Sequence, residues 1–483
     1  MATSVGTISS AGIGSGLDVS GIVSKLVSLE SRPLTLLQNQ SSAVSARLSS
    51  YGKLQSNFVG LQDKANALTS TSLWTATTAT VSDAAALAVT TGVGVSAGSY
   101  AVKVDRLAVG QTLSSTAFAS GSTNLGEGSL TIELGSYTGG TTPGFAAKSG
   151  STALRIDIDA DHTSLAAIRD KINAADAGVV AAIITDAAGA RLSLRSKDTG
   201  NDSAFRITAT EVSEEGSPPG GLSALAYDAN DGASKMTRHV AAANAELSIN
   251  GIAISSASNT LDNVVEGLSL SLKATSSAAT MVNVATDTAA IKAAITGFVS
   301  AFNNAAGFIK SQTAYNADSK SGGVLQGDPS ALSLQSQLRA VINTGSSASS
   351  AWSRLSDIGI ALKSDGTLNV DDTKLSNAVG NPAELKKLLA TDGVGDADSG
   401  FARRFKRVAD AALGAGGLFE SRSSGLQARI TRLGKDQDAM QLRINQTEAR
   451  LRAQYSSLDT KMAQLNGLST YMTQQLAQFN RSG

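Results

Sequence analysis

The sequence predicts an α+β multidomain protein, with terminal helices forming a coiled-coil or helical-bundle leg and nested β-rich domains between them. Three observations carry that prediction. Apolar residues recur in steps of three and four at both ends of the 483-residue chain, the signature of amphipathic helices. Between Trp74 and about Asp287 the dominant period falls to two, the signature of half-buried strands. Aromatic residues make up only 4%, whereas glycine alone numbers 47. Small side chains bury little area each, so several thin domains are expected rather than one thick core.

The elements follow in order. Met1–Gly16 is rich in Gly, Ser and Thr and is expected to be mobile. Ile22, Leu26 and Leu29 open a helical stripe, and Pro33 marks a kink or a helix start. Leu37, Val44, Tyr51, Leu54, Phe58, Leu61, Ala65 and Leu68 continue it. Alternation then predicts strands at Leu87–Thr91, Tyr100–Leu107 and Leu130–Leu134, and the Gly/Thr/Ser stretch from Ser136 to Thr152, with Pro143, is a candidate boundary. A β-α-β-β module is expected next: Leu154–Asp159, a helix capped by Thr163 or Ser164, Val179–Thr185, and Arg191–Ser196, with Ala204–Thr208 as an added strand. A loop with Glu214, Glu215, Pro218, Pro219 and Gly220 closes it. Strands return at Ala245–Ser255, where Asn250-Gly251 signals a hairpin turn, and at Val264–Lys273.

From Asp287 the helical period resumes with Ile291, Ile295, Phe298, Phe302 and Ile309. Asp328-Pro329 reads as a cap followed by the first helical residue. Asn381-Pro382-Ala383-Glu384 reads as the same device with a capping-box Glu. The last stripe is the clearest. Leu426, Ile430, Leu433, Gln437, Met440, Ile444, Thr447 and Leu451 form a heptad seam. It slips by one residue, a stutter, then continues through Tyr455, Leu458, Met462, Leu465, Met472, Leu476 and Phe479. Two readings of the seam stand: two bundle helices packed on each other, or an oligomerisation surface. Gln437 and Thr447 dilute it, so fraying until a partner covers it is expected.

The implied layout is nested. Residues 1–42 and 421–483 form the leg, and 43–72 and 285–420 a helical bundle domain. Residues 73–135 and 236–284 form a β-rich domain, into which an α/β domain, 136–235, is inserted.

Forty Lys/Arg balance forty Asp/Glu, which argues against a general nucleic-acid binder. The balance is local, however. Residues 401–483 hold thirteen Lys/Arg against six Asp/Glu, with Arg429, Arg432, Arg443, Arg450 and Arg452 flanking the seam. The chain has no cysteine, which excludes disulfides and thiolate metal sites. No Sec-type signal and no membrane-length apolar run is visible, so the expectation is a cytosolic chain or one that leaves without a cleaved signal.

Catalytic patterns fail on context, and no cofactor or metal is expected. Gly94-Val95-Ser96-Ala97-Gly98 fits G-x-S-x-G, but a strand follows where a nucleophile elbow needs a helix. His162 and His239 lack metal-site spacing. Asp157, Asp159 and Asp161 resemble the start of a calcium loop, but its sixth position is His162 and its twelfth Ile168. They read as the outward face of a strand. No P-loop exists, because neither Gly-Lys pair precedes Ser or Thr. The chain is not expected to be an enzyme.

Several segments together resemble the bacterial flagellar filament-capping family, also called hook-associated protein 2. Gly14-Ser15-Gly16-Leu17-Asp18, Ile22–Glu30 and Arg32-Pro33-Leu34 are similar to its opening. Leu165–Gly200 is similar to the flagellin/hook insertion motif: Ile168-Arg169-Asp170-Lys171-Ile172-Asn173, Gly178-Val179, Arg191-Leu192 and Ser196-Lys197-Asp198-Thr199-Gly200. That motif is shared with flagellins. Asn259–Leu272, Phe298–Asn303, Leu325-Gln326-Gly327-Asp328 and Leu355–Lys374 fit the capping family more closely.

The resemblance implies export through the flagellar type III channel and a homo-oligomeric ring, commonly a pentamer, at the distal filament tip. It implies flagellin held, folded and inserted beneath a plate, hook-associated proteins at the hook–filament junction, and a cytosolic chaperone on the C-terminal helix. It also implies adhesion to mucin in some members. A mucin or host-surface adhesin and a hook–filament junction protein are the competing readings; Phe205 is the only aromatic between His162 and Tyr227, so the insert offers no aromatic platform for a glycan. On their stripes at the chain ends, Leu26, Leu29, Leu451, Leu458, Met462, Leu465 and Met472 are expected to supply reversible leg contacts with the filament, the ring or the chaperone.

Overall fold

The structure is a computed structural model and describes residues 18–138, 144–212, 221–232, 234–318 and 320–479. The Gly/Ser/Thr-rich opening through Gly16, Leu17, Pro143, and the loop holding Glu214, Glu215, Pro218, Pro219 and Gly220 lie outside the described residues. The chain forms two compact units. Unit 1 joins 1–73 to 288–483, and unit 2 is the continuous stretch 74–287.

Unit 1 is helical. Its N-terminal part is α1 (Val19–Glu30) and α2 (Arg32–Thr69), with α3 (Thr71–Thr75) at the division between the units. Asp18 caps α1: its carboxylate accepts from the Gly21 amide at 2.8 Å. Pro33 stands in the first turn of α2, where its missing N–H costs nothing. The stripe read from Val44 to Leu68 is buried throughout.

The C-terminal part holds α5 (Thr288–Thr313), α6 (Pro329–Asn343), α7 (Asp372–Val379), α8 (Pro382–Ala390), α9 (Phe401–Leu413) and α10 (Leu418–Phe479), with two short hairpins between them. Phe419 at the start of α10 inserts between Tyr51 and Phe58 of α2, with ring centroids 6.5 and 5.4 Å away. Phe405 of α9 meets Phe298 and Phe302 of α5 at 5.2 and 5.6 Å. Aromatics are few, and six of those in unit 1 meet at these two helix crossings, where each contributes a large buried area.

Arg404 is also buried. Its guanidinium donates to the carbonyls of Thr344 (2.7 Å), Gly345 (3.0 Å) and Ser399 (3.0 Å), tying the end of α6 to the start of α9. Asp328 caps α6 through Ser330 and Ala331, as its position before Pro329 predicts. Glu384 departs from expectation. The Asn381 side chain accepts from the Glu384 amide, but the Glu384 carboxylate reaches Ser349 (2.7 Å) and the Ser350 amide (2.9 Å) instead of closing a capping box. Ser349 is buried and its hydroxyl needs a partner, and this carboxylate supplies it.

Among the described residues, unit 2 contains four larger sheets over two cores. The first core lies between two sheets. One has the strand order β1 (Thr77–Val81), β16 (Thr280–Thr286), β3 (Gly98–Arg106), β12 (Ala245–Ile249), β13 (Ile252–Ser256). The other runs β14 (Thr260–Val265), β15 (Leu268–Leu272), β2 (Leu87–Thr91). Val102, Val104, Leu247, Leu268, Leu270 and Val282 fill it. Asn250 and Gly251 both take positive φ, 51° and 84°, at the β12–β13 turn, the geometry such a two-residue turn demands.

The second core is framed by β5 (Gly128–Thr138), which pairs with β10 (Ala204–Glu211), β7 (Leu154–Ile158) and β6 (Gly144–Ala147). The facing sheet has the order β11 (Thr237–Val240), β4 (Thr112–Ser114), β9 (Gly189–Ser196), β8 (Val179–Asp186). Helix α4 (Leu165–Ala175), capped by Ser164, buries Leu165, Ile168 and Ile172 here.

The predicted β-α-β-β module is therefore divided: β7 belongs to one sheet, and β8 and β9 to the other. The boundary expected at 135/136 falls inside β5, because that strand's partners lie in the insert. Those expected at 42/43 and 420/421 fall inside α2 and α10.

Candidate functional site

The expected contact residues all lie on the end helices of unit 1. Helix α10 packs along α2 and, further on, along α1. Of the two readings of the seam, its first half is thus a pairing within the chain. Leu433 and Ile444 are buried there. The diluting Gln437 is not idle; its side-chain amide donates to the Leu37 carbonyl at 3.1 Å. Val19 and Val23 are the buried residues of α1, so the neighbouring face is left to Leu26, half-buried, and Leu29, 51% exposed.

Along α10 the cover runs out. Leu451 and Met462 are half-buried, Leu458 is exposed, and from Ala463 to Gln478 every described side chain is exposed. Leu465, Met472 and Leu476 are 58, 57 and 63% exposed. At 100° per residue, Leu458, Met462, Leu465, Met472 and Leu476 lie within roughly one quarter of the helix circumference. The helix itself continues to Phe479 without a break, so the fraying expected of this dilute stripe is not its form in the structure. The arrangement offers no reacting group. It offers a narrow apolar rail, flanked by polar residues and open to a helical or groove-shaped partner.

The residues weighed for chemistry hold other roles. Ser96 lies just before β3, so a strand follows it. His162 bonds Asp159, which also accepts from Lys171 at 2.7 Å. These contacts, that of Lys171 first, pull the Asp159 carboxyl down to about 2. Asp157 pairs with Arg155. His239 meets the Ser114 hydroxyl at 2.8 Å. Among the described residues no group of three metal-ligating side chains converges, and no helix is long and apolar enough to cross a membrane.

One polar cluster escaped the reading of the sequence. Asp328 accepts from the Tyr51 hydroxyl at 2.6 Å and from Arg422 at 3.2 Å. Burial and the carboxylate push the Tyr51 phenol up to about 12. Burial also opposes ionisation of Asp328, but its hydrogen bonds prevail and hold it below the usual carboxylate range. Its partners lie 277 and 94 residues away, so no local pattern announces it. The basic excess of the C-terminal region also finds its counterpart: unit 2 holds thirteen Lys/Arg against twenty-one Asp/Glu, and unit 1 twenty-seven against nineteen.

Known proteins share this organisation. The family model for the flagellar hook-associated protein 2 N-terminus matches residues 15–111, and that for its C-terminus residues 242–467. The flagellin hook IN motif matches residues 131–198. The flagellar hook-associated protein 2 of Escherichia coli (strain K12) is 34% identical over 97% of this chain and 98% of its own. That of Salmonella typhimurium is 32% identical over 99% and 100%. The crystal structure of the flagellar cap protein FliD D1-D2-D3 domains from Escherichia coli matches with a TM-score of 0.56 and 32% identity, over 78% of this chain and 99% of that one. With a relative above 30% identity aligned along nearly its whole length, this chain belongs to the flagellar hook-associated protein 2 family.

Proposed function

We propose that this protein caps the distal end of the growing flagellar filament as a homo-oligomeric ring, a pentamer by family resemblance, and promotes insertion of exported flagellin. It works without catalysis. The observation that carries the reading is the far part of α10, a helix whose apolar rail has no cover from Ala463 to Gln478 among the described residues. The likeness to a flagellar cap protein supports it.

A cap must hold a lattice and still step along it as subunits are added. Leu26, Leu29, Leu451, Leu458, Met462, Leu465 and Met472 supply contacts of that kind. Each buries modest area, at about 25 cal/mol per Å2, and much of the gross gain is spent on ordering the partners. The sum is a grip that can be released residue by residue. In the cytosol the same rail would be covered by an export chaperone. At the hook–filament junction it meets hook-associated proteins before the first flagellin arrives.

The test is electron microscopy of a deletion strain, with flagellin in the spent medium quantified. Bare hooks and monomeric flagellin in the medium are expected. Complementation with a chain lacking 458–483 should leave unit 2 folded and capping lost. Normal filaments on that truncated chain would sink the proposal.

A further inference from the structure

Two features of unit 1 remain unused by that reading, and they match each other. The first is a cavity of about 270 Å3 where α2 and α10 meet the loop entering α6. That is several times the roughly 30 Å3 share of a liquid water, enough for a branched side chain. Val324 and Leu426 give it apolar walls, and Arg47 and Arg429 line it too. Both arginines are exposed, and among the described residues neither has an ion-pair or hydrogen-bond partner. Asp328, the carboxylate in this cavity, is already engaged by Tyr51 and Arg422. The pocket therefore presents two unpaired guanidinium groups beside the apolar Val324 and Leu426, in a lining of mixed polarity.

The second feature is the loop from Thr391 to Gly400. Val394 at its tip is 102% exposed, yet the loop is internally braced. The Asp398 carboxylate accepts from the amides of Val394 (3.0 Å) and Gly395 (2.7 Å), and the Ser399 hydroxyl accepts from the Gly393 amide at 3.2 Å. Gly393 has no room for a side chain, since an added Cβ would lie 2.5 Å from the Asp398 carbonyl. A braced knob loses little freedom when it is buried. Asp392 and Asp396 flank it, each side chain 70% exposed, with only a distant pair to Arg403 (3.8 Å) and one to Arg407 (3.2 Å).

We propose that the Val394 loop of one copy seats in the Arg47–Arg429 pocket of the next. Val394 packs on Val324 and Leu426, and Asp392 and Asp396 face the two arginines. The pocket and the loop are different surfaces, so the contact is head-to-tail, the kind that generates a ring when its rotation closes. Within one chain the knob is bare and the pocket open, so neither satisfies the other. The inference rests on the ring reading above and names one of its contacts.

The test is sedimentation of the full chain, alone and mixed. Arg47→Glu/Arg429→Glu disables the pocket, and Val394→Glu disables the knob. All three sites are exposed, and thermal melts check that each variant folds. Each variant alone should associate at least about tenfold more weakly than the native chain. An equimolar mixture should recover dimers and nothing larger, because a mixed pair keeps one intact knob and one intact pocket. Association of either variant at native strength overturns this contact while leaving the ring reading intact. A native chain that stays monomeric at every concentration overturns both.

Discussion

The two halves of α10 share one unbroken helix and an apolar stripe, yet they stand in opposite environments. The first half carries Phe419, Leu433 and Ile444, all buried against unit 1. The second carries Leu458, Leu465, Met472 and Leu476, all largely open. An apolar stripe reports which face of a helix is sticky; it does not report whether a neighbour is there. The difference teaches that one continuous helix can anchor a domain at one end and leave its apolar stripe open at the other.

The sharpest way to break the comparison is to truncate matched side chains. Phe419→Ala empties the space between Tyr51 and Phe58 and is expected to cost unit 1 about 3–5 kcal/mol. Leu465→Ala should stay within about 0.5 kcal/mol. Denaturant titration of both variants reads the contrast, and comparable losses would mean the far half is structurally covered after all. Ile444→Ala comes next. It lies where the cover begins to thin, so a loss of about 2 kcal/mol, at the low end for a buried aliphatic, is expected in the same titration.

Gln437→Ala refines the picture at the seam. It removes the bond to the Leu37 carbonyl and should cost about 1 kcal/mol, visible as a small drop in the melting temperature of unit 1. If it stabilises instead, the seam prefers an apolar residue there and the bond is incidental. Acid gives the gentlest lever. The bonds from Lys387 and then Ser349 hold the Glu384 carboxyl at about 2 in the folded state, against an ordinary 4.5. Its contribution is complete above pH 4.5 and is lost as pH falls toward 2. The stability gap between the native chain and Glu384→Gln should therefore shrink across that window, and a constant gap would assign Glu384 a role other than charge.

Much of this molecule is legible in order along the chain. The buried stripe of α2, the bounds of β2, the Asn250-Gly251 turn and the Asp328 cap each depend on residues within a few positions of one another. What escapes is set by distance along the chain. Glu384 looks like a local cap and serves a loop 34–35 residues away. β5 looks like the end of one sheet, and its partners come from further on, in residues 144–211. The candidate contact residues were readable as a stripe, but the split between half-buried Leu26, Leu451 and Met462 and exposed Leu29, Leu458, Leu465 and Met472 depends on where α1 lies against α10.

The pairing of α2 with α10 also sets an order of events. Gln437 bonds Leu37 across 400 residues, whereas unit 2 is one uninterrupted stretch. During synthesis from the N-terminus, unit 2 has all of its strands before the last helix arrives. Unit 1 is not complete by then, and contacts so distant in sequence close late and slowly. Helix α2 can meet α5 soon after unit 2 is made, but it must wait for α9 and α10 to complete its cover. Completion of the helical unit thus depends on its C-terminal helices, and a chain cut before α9 would leave the apolar stripe of α2 only partly covered.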